Sequence, residues 1–159
     1  MKVTVLVVGK NKEAYINEAL REYEKRINKY LPFQIEEISG IKGSKKYAEK
    51  EIKEKEGRNI LKRLPTEGFV VLLDERGKQM KSGGFAKWLQ KVMNSGTRNL
   101  VFVIGGAYGF CDEVYEKADM TLSLSKMTFS HQIARIVFAE QLYRAFTIIK
   151  GEPYHHGDD

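Results

Sequence analysis

"KVTVLVVG", residues 2–9, is a nearly unbroken run of aliphatic, mostly β-branched side chains that ends on a glycine. A strand with one wet face alternates apolar and polar residues, whereas such a run marks a strand covered on both faces, as in a parallel α/β sheet. Two further stretches repeat the pattern, "GFVVLL" at 68–73 and "RNLVFVIGG" at 98–106. "FQIEEIS" at 33–39 and "ADMTLSLS" at 118–125 supply two more strand candidates. Between them the period changes from 2 to 3.6. In "NKEAYINEALREYEKRINKY" (11–30), Tyr15, Ile16, Ala19, Leu20, Tyr23, Ile27 and Tyr30 recur at three- and four-residue steps, with Asn11 set to cap the helix and Pro32 to close it. "SGGFAKWLQKVMNSG" (82–96) turns Phe85, Trp88, Leu89 and Val92 inward. Strands alternating with helices predict an α/β fold, a single domain over 1–159 whose mostly parallel sheet is flanked by helices.

The 159 residues are enough for one real core, and 42% hydrophobic with 30% charged residues and three prolines reads as globular. The formal charge of +6 suits a polyanionic partner without requiring one. Residues 44–63 are thick with charge, but Glu49 with Lys53, Glu51 with Lys55 and Glu54 with Arg58 are spaced to pair along a helix, so this reads mainly as a solvated face. A strand beginning at Lys2 leaves no room for a signal peptide, and no apolar run approaches the ~20 residues a membrane span needs. A cytoplasmic protein with no membrane partner is expected. One cysteine, Cys111, rules out an internal disulfide and thiolate zinc cages.

In open α/β sheets, ligands bind beyond the carboxyl ends of the strands. Three loops there are unusual. Leu72 to Lys78 ("LLDERGK") resembles a phosphate-binding loop superficially, yet that motif needs a glycine where Leu72 stands and a hydroxyl residue where Gln79 stands. The "DERGK" segment reads as a turn. "VIGGAYGF" places Gly105, Gly106 and Gly109 directly after a strand, where a backbone can approach a ligand closely. Its adjacent glycines lack the spacing of a dinucleotide fingerprint, which disfavours a nicotinamide oxidoreductase. "LSLSKMTFSH" (122–131) offers Ser123, Ser125, Thr128 and Ser130 among Leu124, Met127 and Phe129. That mixture suits a small polar cofactor with an aromatic ring, and equally a helix start capped by Ser130.

The helix that follows is apolar nearly all round, with Glu140, Arg144 and Thr147 as its polar strip. A sheet on one flank cannot cover it, so a homodimer packed through this C-terminal helix about a two-fold axis is expected. Arg144 either pairs with Glu140 one turn away or faces a site. His155 and His156 are adjacent and cannot easily converge on one ion; no metal is expected. A near-neutral base or a phosphate contact is the better use for a tail histidine.

Taken together, "LVVGK" at the start, "EKEG" at 54–57, "FVIGGAYG" at 102–109, "LSLSKMTFSHQ", "EQLYRAF" and the closing "GEPYHH" make the chain resemble, over its full length, the RlmH type of SPOUT methyltransferases, large-subunit rRNA pseudouridine methyltransferases. The resemblance implies a SPOUT fold with a C-terminal trefoil knot, a homodimer, S-adenosyl-L-methionine as methyl donor, and methylation of N3 of a pseudouridine in the helix 69 hairpin of 23S rRNA in the assembled ribosome. Carried over by position, the cofactor contacts fall on Leu73, on Gly105, and on Leu124, Ser125, Lys126, Met127, Thr128 and Phe129. One departure is Ser130, where the family usually has proline; serine serves the same helix start by capping. Arg144, Tyr154 and His155 are the expected catalytic residues, closing over the base, with His155 accepting a proton or holding the ring and the tail coming from the partner subunit. Arg76, Lys78, Lys87, Arg98 and Lys126 are candidates for gripping phosphate. The rival expectation is a noncatalytic ribosome-binding or assembly protein with a nucleotide-sized pocket.

Overall fold

The computed structural model describes residues 1–157. Five strands, β1 (Lys2–Val8), β2 (Phe33–Ile38), β3 (Phe69–Gln79), β4 (Asn99–Ile104) and β5 (Met120–Ser123), form one sheet in the order β2-β1-β4-β3-β5. Every pairing is parallel. The chain moves outward from β1 to β2, then crosses to β3 and fills the gap with β4. The carboxyl ends of β4, β3 and β5 thus lie side by side.

The apolar runs form these strands because both faces of the sheet are covered. Val3, Val5 and Val7 of β1 join Leu100, Phe102 and Ile104 of β4 in one core, while Leu6, Val8, Val101 and Val103 enter a second on the opposite face. The first core is closed by α1 (Ala14–Ile27), α3 (Ser82–Asn94) and α5 (His131–Lys150). The second lies under α2 (Glu49–Leu61) and the short α4 (Asp112–Lys117).

Several local expectations change. Asn11 does not cap α1: the helix starts at Ala14, with Glu13 at the cap position and no side-chain cap, and Asn11 bonds to Glu37 and Arg135 instead. Tyr15, one residue and thus about 100° from buried Ile16, falls off the apolar stripe and is 60% exposed. The helix ends at Ile27, before Pro32, because the Asn28 amide accepts from Phe33 and donates to its carbonyl, turning the chain toward β2.

The larger correction is "DERGK". It lies inside β3, which pairs with β5 on both sides of an excursion: Leu73 faces Leu122, the register slips, and Lys78 faces Leu122 again before Gln79 meets Ser123. Gly77 makes this possible, since a Cβ there would fall 2.7 Å from the Leu122 nitrogen. Polarity alone reads as a turn because the strand pairing that continues beyond it, Lys78 with Leu122 and Gln79 with Ser123, is with a segment remote in the chain.

The C-terminal helix finds much of its cover within its own chain, against α1, α3 and β4. Phe138, Leu142, Ala145 and Phe146 are buried there, and so is Thr147, so the expected polar strip reduces to Glu140 and Arg144. Ile136, Val137, Gln141 and Ile148 remain half-buried and Ile133 is exposed.

Candidate active site

The ends of β3, β4 and β5 converge on one cleft of about 760 Å³. Its walls include Leu73, Gly105, Leu124, Ser125, Met127, Thr128 and Phe129, seven of the eight residues expected to contact a cofactor. The side chain of the eighth, Lys126, is exposed and does not line it. Ser123 donates to the Ser125 carbonyl at 3.0 Å, and the Ser125 hydroxyl accepts from the Met127 amide at 2.9 Å, which folds the 123–127 segment on itself. Ser130 caps α5, accepting from the Ile133 amide at 3.2 Å, as the reading of this loop as a helix start expects.

At the β3 excursion, Asp74 accepts from the Tyr115 hydroxyl and, at 2.8 Å, from the Arg76 amide. Arg76 donates to Tyr115 at 2.9 Å. Burial works to raise the Asp74 carboxyl, but the Tyr115 hydroxyl and the Arg76 donors prevail and hold it below the ordinary range. The cleft wall therefore carries an ionised carboxylate paired with the Arg76 guanidinium at 3.4 Å, beside apolar Leu73, Ile104 and Leu122.

Behind the glycine loop stands Glu56, 9% exposed, whose Oε2 is buried with no hydrogen-bond partner among the described residues. Desolvation raises its carboxyl above the usual range. A Cβ on Gly106 would lie 2.8 Å from both of its oxygens, so only glycine permits this approach. Periodicity carried the signal: Ile52, Glu56 and Ile60 recur at four-residue steps on the buried stripe of α2, an acid where an aliphatic belongs. His131 also lines the cleft, and burial, with the charges of Arg135 and Lys12, lowers its pKa.

Arg135 went unremarked in the apolar helix, yet it is the largest fully buried side chain. It donates to the Val8 carbonyl at 2.6 Å and to Asn11, tying α5 to the end of β1.

Arg144, Tyr154 and His155 do come together, but elsewhere. Arg144 donates from Nε and Nη2 to Glu140 Oε1 at 3.0 and 2.6 Å, and Nη1 lies 3.3 Å from His155 Nδ1. Its guanidinium sits 4.8 Å from the centre of the Tyr154 ring, and the Tyr154 hydroxyl donates to Glu140 at 3.2 Å. Burial and the Glu140 charge push the Tyr154 phenol up to about 12. Arg144 thus takes the ion pair with Glu140 one turn away. The last residue of α5 on the cleft wall is Ala134, ten residues before Arg144, or about 15 Å along the helix at 1.5 Å per residue. Among the described residues no cluster of histidine, cysteine and carboxylate could hold a metal.

A family profile described as "Predicted SPOUT methyltransferase" matches residues 1–155. The chain belongs to the SPOUT methyltransferase family. The five-stranded parallel sheet flanked by helices fits that assignment. Relatives of this SPOUT protein include the ribosomal RNA large subunit methyltransferases H of Parabacteroides distasonis and Christiangramia forsetii, each 49% identical over 156 residues, covering 98% of this chain and 99% of the relative. The corresponding protein of Bacteroides thetaiotaomicron is 47% identical over the same span. Among solved structures, a probable methylase family protein from Haemophilus influenzae superposes with a TM-score of 0.53 at 13% identity, covering 94% of this chain and 66% of that one, a likeness of fold alone.

Proposed function

We propose that this SPOUT methyltransferase transfers the methyl group of S-adenosyl-L-methionine to N3 of a pseudouridine in the helix 69 hairpin of 23S rRNA, acting on assembled ribosomes in the cytoplasm. The observation that carries the reading is the convergence of Leu73, Gly105 and residues 124–129, distant in sequence, on one cleft. The names of the near-identical-length relatives support an rRNA substrate. A working unit of two single-domain chains paired through α5, each knotted in its C-terminal part, completes the proposal.

The cleft fits the donor by its chemistry. Leu73, Ile104, Leu122, Leu124 and Phe129 offer an apolar bed for a base, and backbone groups of Gly105 and the 124–129 segment, with the Asp74 carboxylate, offer partners for hydroxyl and ammonium groups. When bound, the donor supplies a methyl carbon already activated by its positive sulfur. The protein's own work is to align the accepting nitrogen and exclude water.

The imide N3–H is mostly protonated at neutral pH, so groups that favour the ring anion speed the step. The cluster around Arg144 is suited to this. Arg144 Nη1 lies 3.3 Å from His155 Nδ1, so the charge and the imidazole face the same space. His155 is assigned to hold the ring or to accept the N3 proton, the two roles expected of it. The Arg144 charge then stabilises the anion. About 15 Å of helix separates the cluster from its own cleft, so the tail is assigned to the partner subunit's cleft, which gives the dimer a catalytic purpose.

Transfer of labelled methyl to ribosomes from cells lacking the gene tests the activity. Ribosome binding without transfer would instead mark a noncatalytic assembly factor. His155→Ala is expected to cut transfer at least about 100-fold, in the range of lost acid–base or electrostatic groups, with donor affinity unchanged by calorimetry. Normal turnover would remove His155 from the mechanism.

A further inference from the structure

The loops after β1 and β2 form a surface that the site does not use. Residues 9–13 and 39–48 hold five lysines, Lys10, Lys12, Lys42, Lys45 and Lys46, against one acid, Glu13. All five lysines are exposed. In α2 acids and bases interleave, whereas here they do not. The two loops lie side by side: the Gly9 amide donates to the Ile38 carbonyl at 2.7 Å, and Gly40 stands against Gly9, its Cβ position 3.8 Å from the Gly9 Cα.

The first loop is held firmly. Asn11 donates from its amide side chain to Glu37 at 3.1 Å, Arg135 bonds both Asn11 and the Val8 carbonyl, and Gln132 donates to the Lys10 carbonyl at 3.1 Å. Each anchor uses a backbone group or an inward side chain, which leaves the ammonium groups of Lys10 and Lys12 in water on a rigid base. Preorganised charge loses less on binding than charge on a floppy loop.

The surface is continuous with the donor cleft. Gln132 and Arg135 sit on the first turns of α5 beside His131, a wall residue, and the charge of Lys12 reaches His131. Glu49, which opens α2 directly after the second loop, is also a wall residue. Tyr47 is 37% exposed, with the Lys55 ammonium 4.5 Å from its ring centre, an aromatic amid lysines of the kind that stacks bases.

We propose that this edge grips the phosphates of the RNA flanking the target base, through Lys10, Lys12, Lys42, Lys45 and Lys46. The inference rests on the reading that the substrate is RNA and names where its backbone lies. It displaces Arg98, which precedes β4 at the amino edge and whose carbonyl accepts from the Lys2 amide, at the opposite end of the sheet from the cleft.

Two variants test it, Lys10→Glu/Lys12→Glu and Lys42→Glu/Lys45→Glu/Lys46→Glu, with Lys2→Glu/Arg98→Glu as the control at the far edge. All positions are at the surface, and calorimetry with S-adenosyl-L-methionine verifies an intact cleft. Expected are a KM for ribosomes raised at least about tenfold with kcat within about twofold, and, on a fluorescent RNA hairpin, a plot of log affinity against log salt flattened by roughly 0.7–0.9 per phosphate contact removed. The control should move neither. Unchanged KM and slope, or an equal loss in the control, would overturn the proposal. Lost ribosome affinity with the hairpin slope retained would also overturn it, assigning the surface to an acidic protein. If wild-type protein transfers no methyl, the functional reading falls, while ribosome binding and the hairpin slope still decide whether this surface meets RNA.

Discussion

Replacing Gly106 with alanine addresses the contact that shapes the donor loop. The new Cβ would stand 2.8 Å from each Glu56 carboxylate oxygen and 3.1 Å from its carboxyl carbon. Ordinary carbon–oxygen contact needs roughly half an ångström more, and Glu56 sits in the middle of α2 with little room to retreat. Overpacking of a closed site costs about 1–3 kcal/mol, so the loop is expected to relieve it by moving outward, into the cleft that Gly105 and Gly106 line. If binding must push the loop back, that cost appears as a donor Kd raised about 5- to 150-fold. Titration calorimetry with S-adenosyl-L-methionine measures the change. The double variant Glu56→Ala/Gly106→Ala removes the atoms that collide, and a coupling of about 0.5–3 kcal/mol, recovering affinity relative to Gly106→Ala alone, is expected. Unaltered donor affinity in Gly106→Ala would refute the idea that this carboxyl sets the loop. Strict additivity in the cycle would refute it equally.

Three further outcomes follow from the same geometry. Ser130→Ala should lower stability in urea by about 1 kcal/mol through loss of the cap, whereas Ser130→Pro should lose less, since Ser130 already has φ −58°. Arg135→Met orphans the Val8 carbonyl and frees Asn11, and should cost about 1–3 kcal/mol by the same assay. The His131 pKa is lowered from 6.5, burial first, so the unfolded chain binds its proton more readily than the folded one; its contribution to stability is whole above pH 6.5 and declines as pH falls below it. His131→Gln should remove that part of the acid slope in urea midpoints, and an identical slope would refute the assignment.

Much of the fold was legible because local forces fix it. A parallel strand buried on both faces must be apolar throughout, so "KVTVLVVG" and "RNLVFVIGG" declare themselves, and the Ser130 cap depends on residues three apart. The three loops of the cleft were legible too, since a parallel sheet brings carboxyl ends to one edge. What stayed hidden depends on residues remote in the chain. The β3 excursion exists because Gly77 meets Leu122, and no period within "DERGK" encodes that pairing. For Glu56 the sequence marks only an acid on an apolar stripe, and Arg135 passes for an ordinary helix base. Only packing gives the first its contact with Gly106 and the second its bonds to the end of β1. Composition and periodicity determine which residues leave water, because burial follows local pattern. Which buried group meets which is settled by the crossing of segments far apart in sequence, and that is a property of the closed fold.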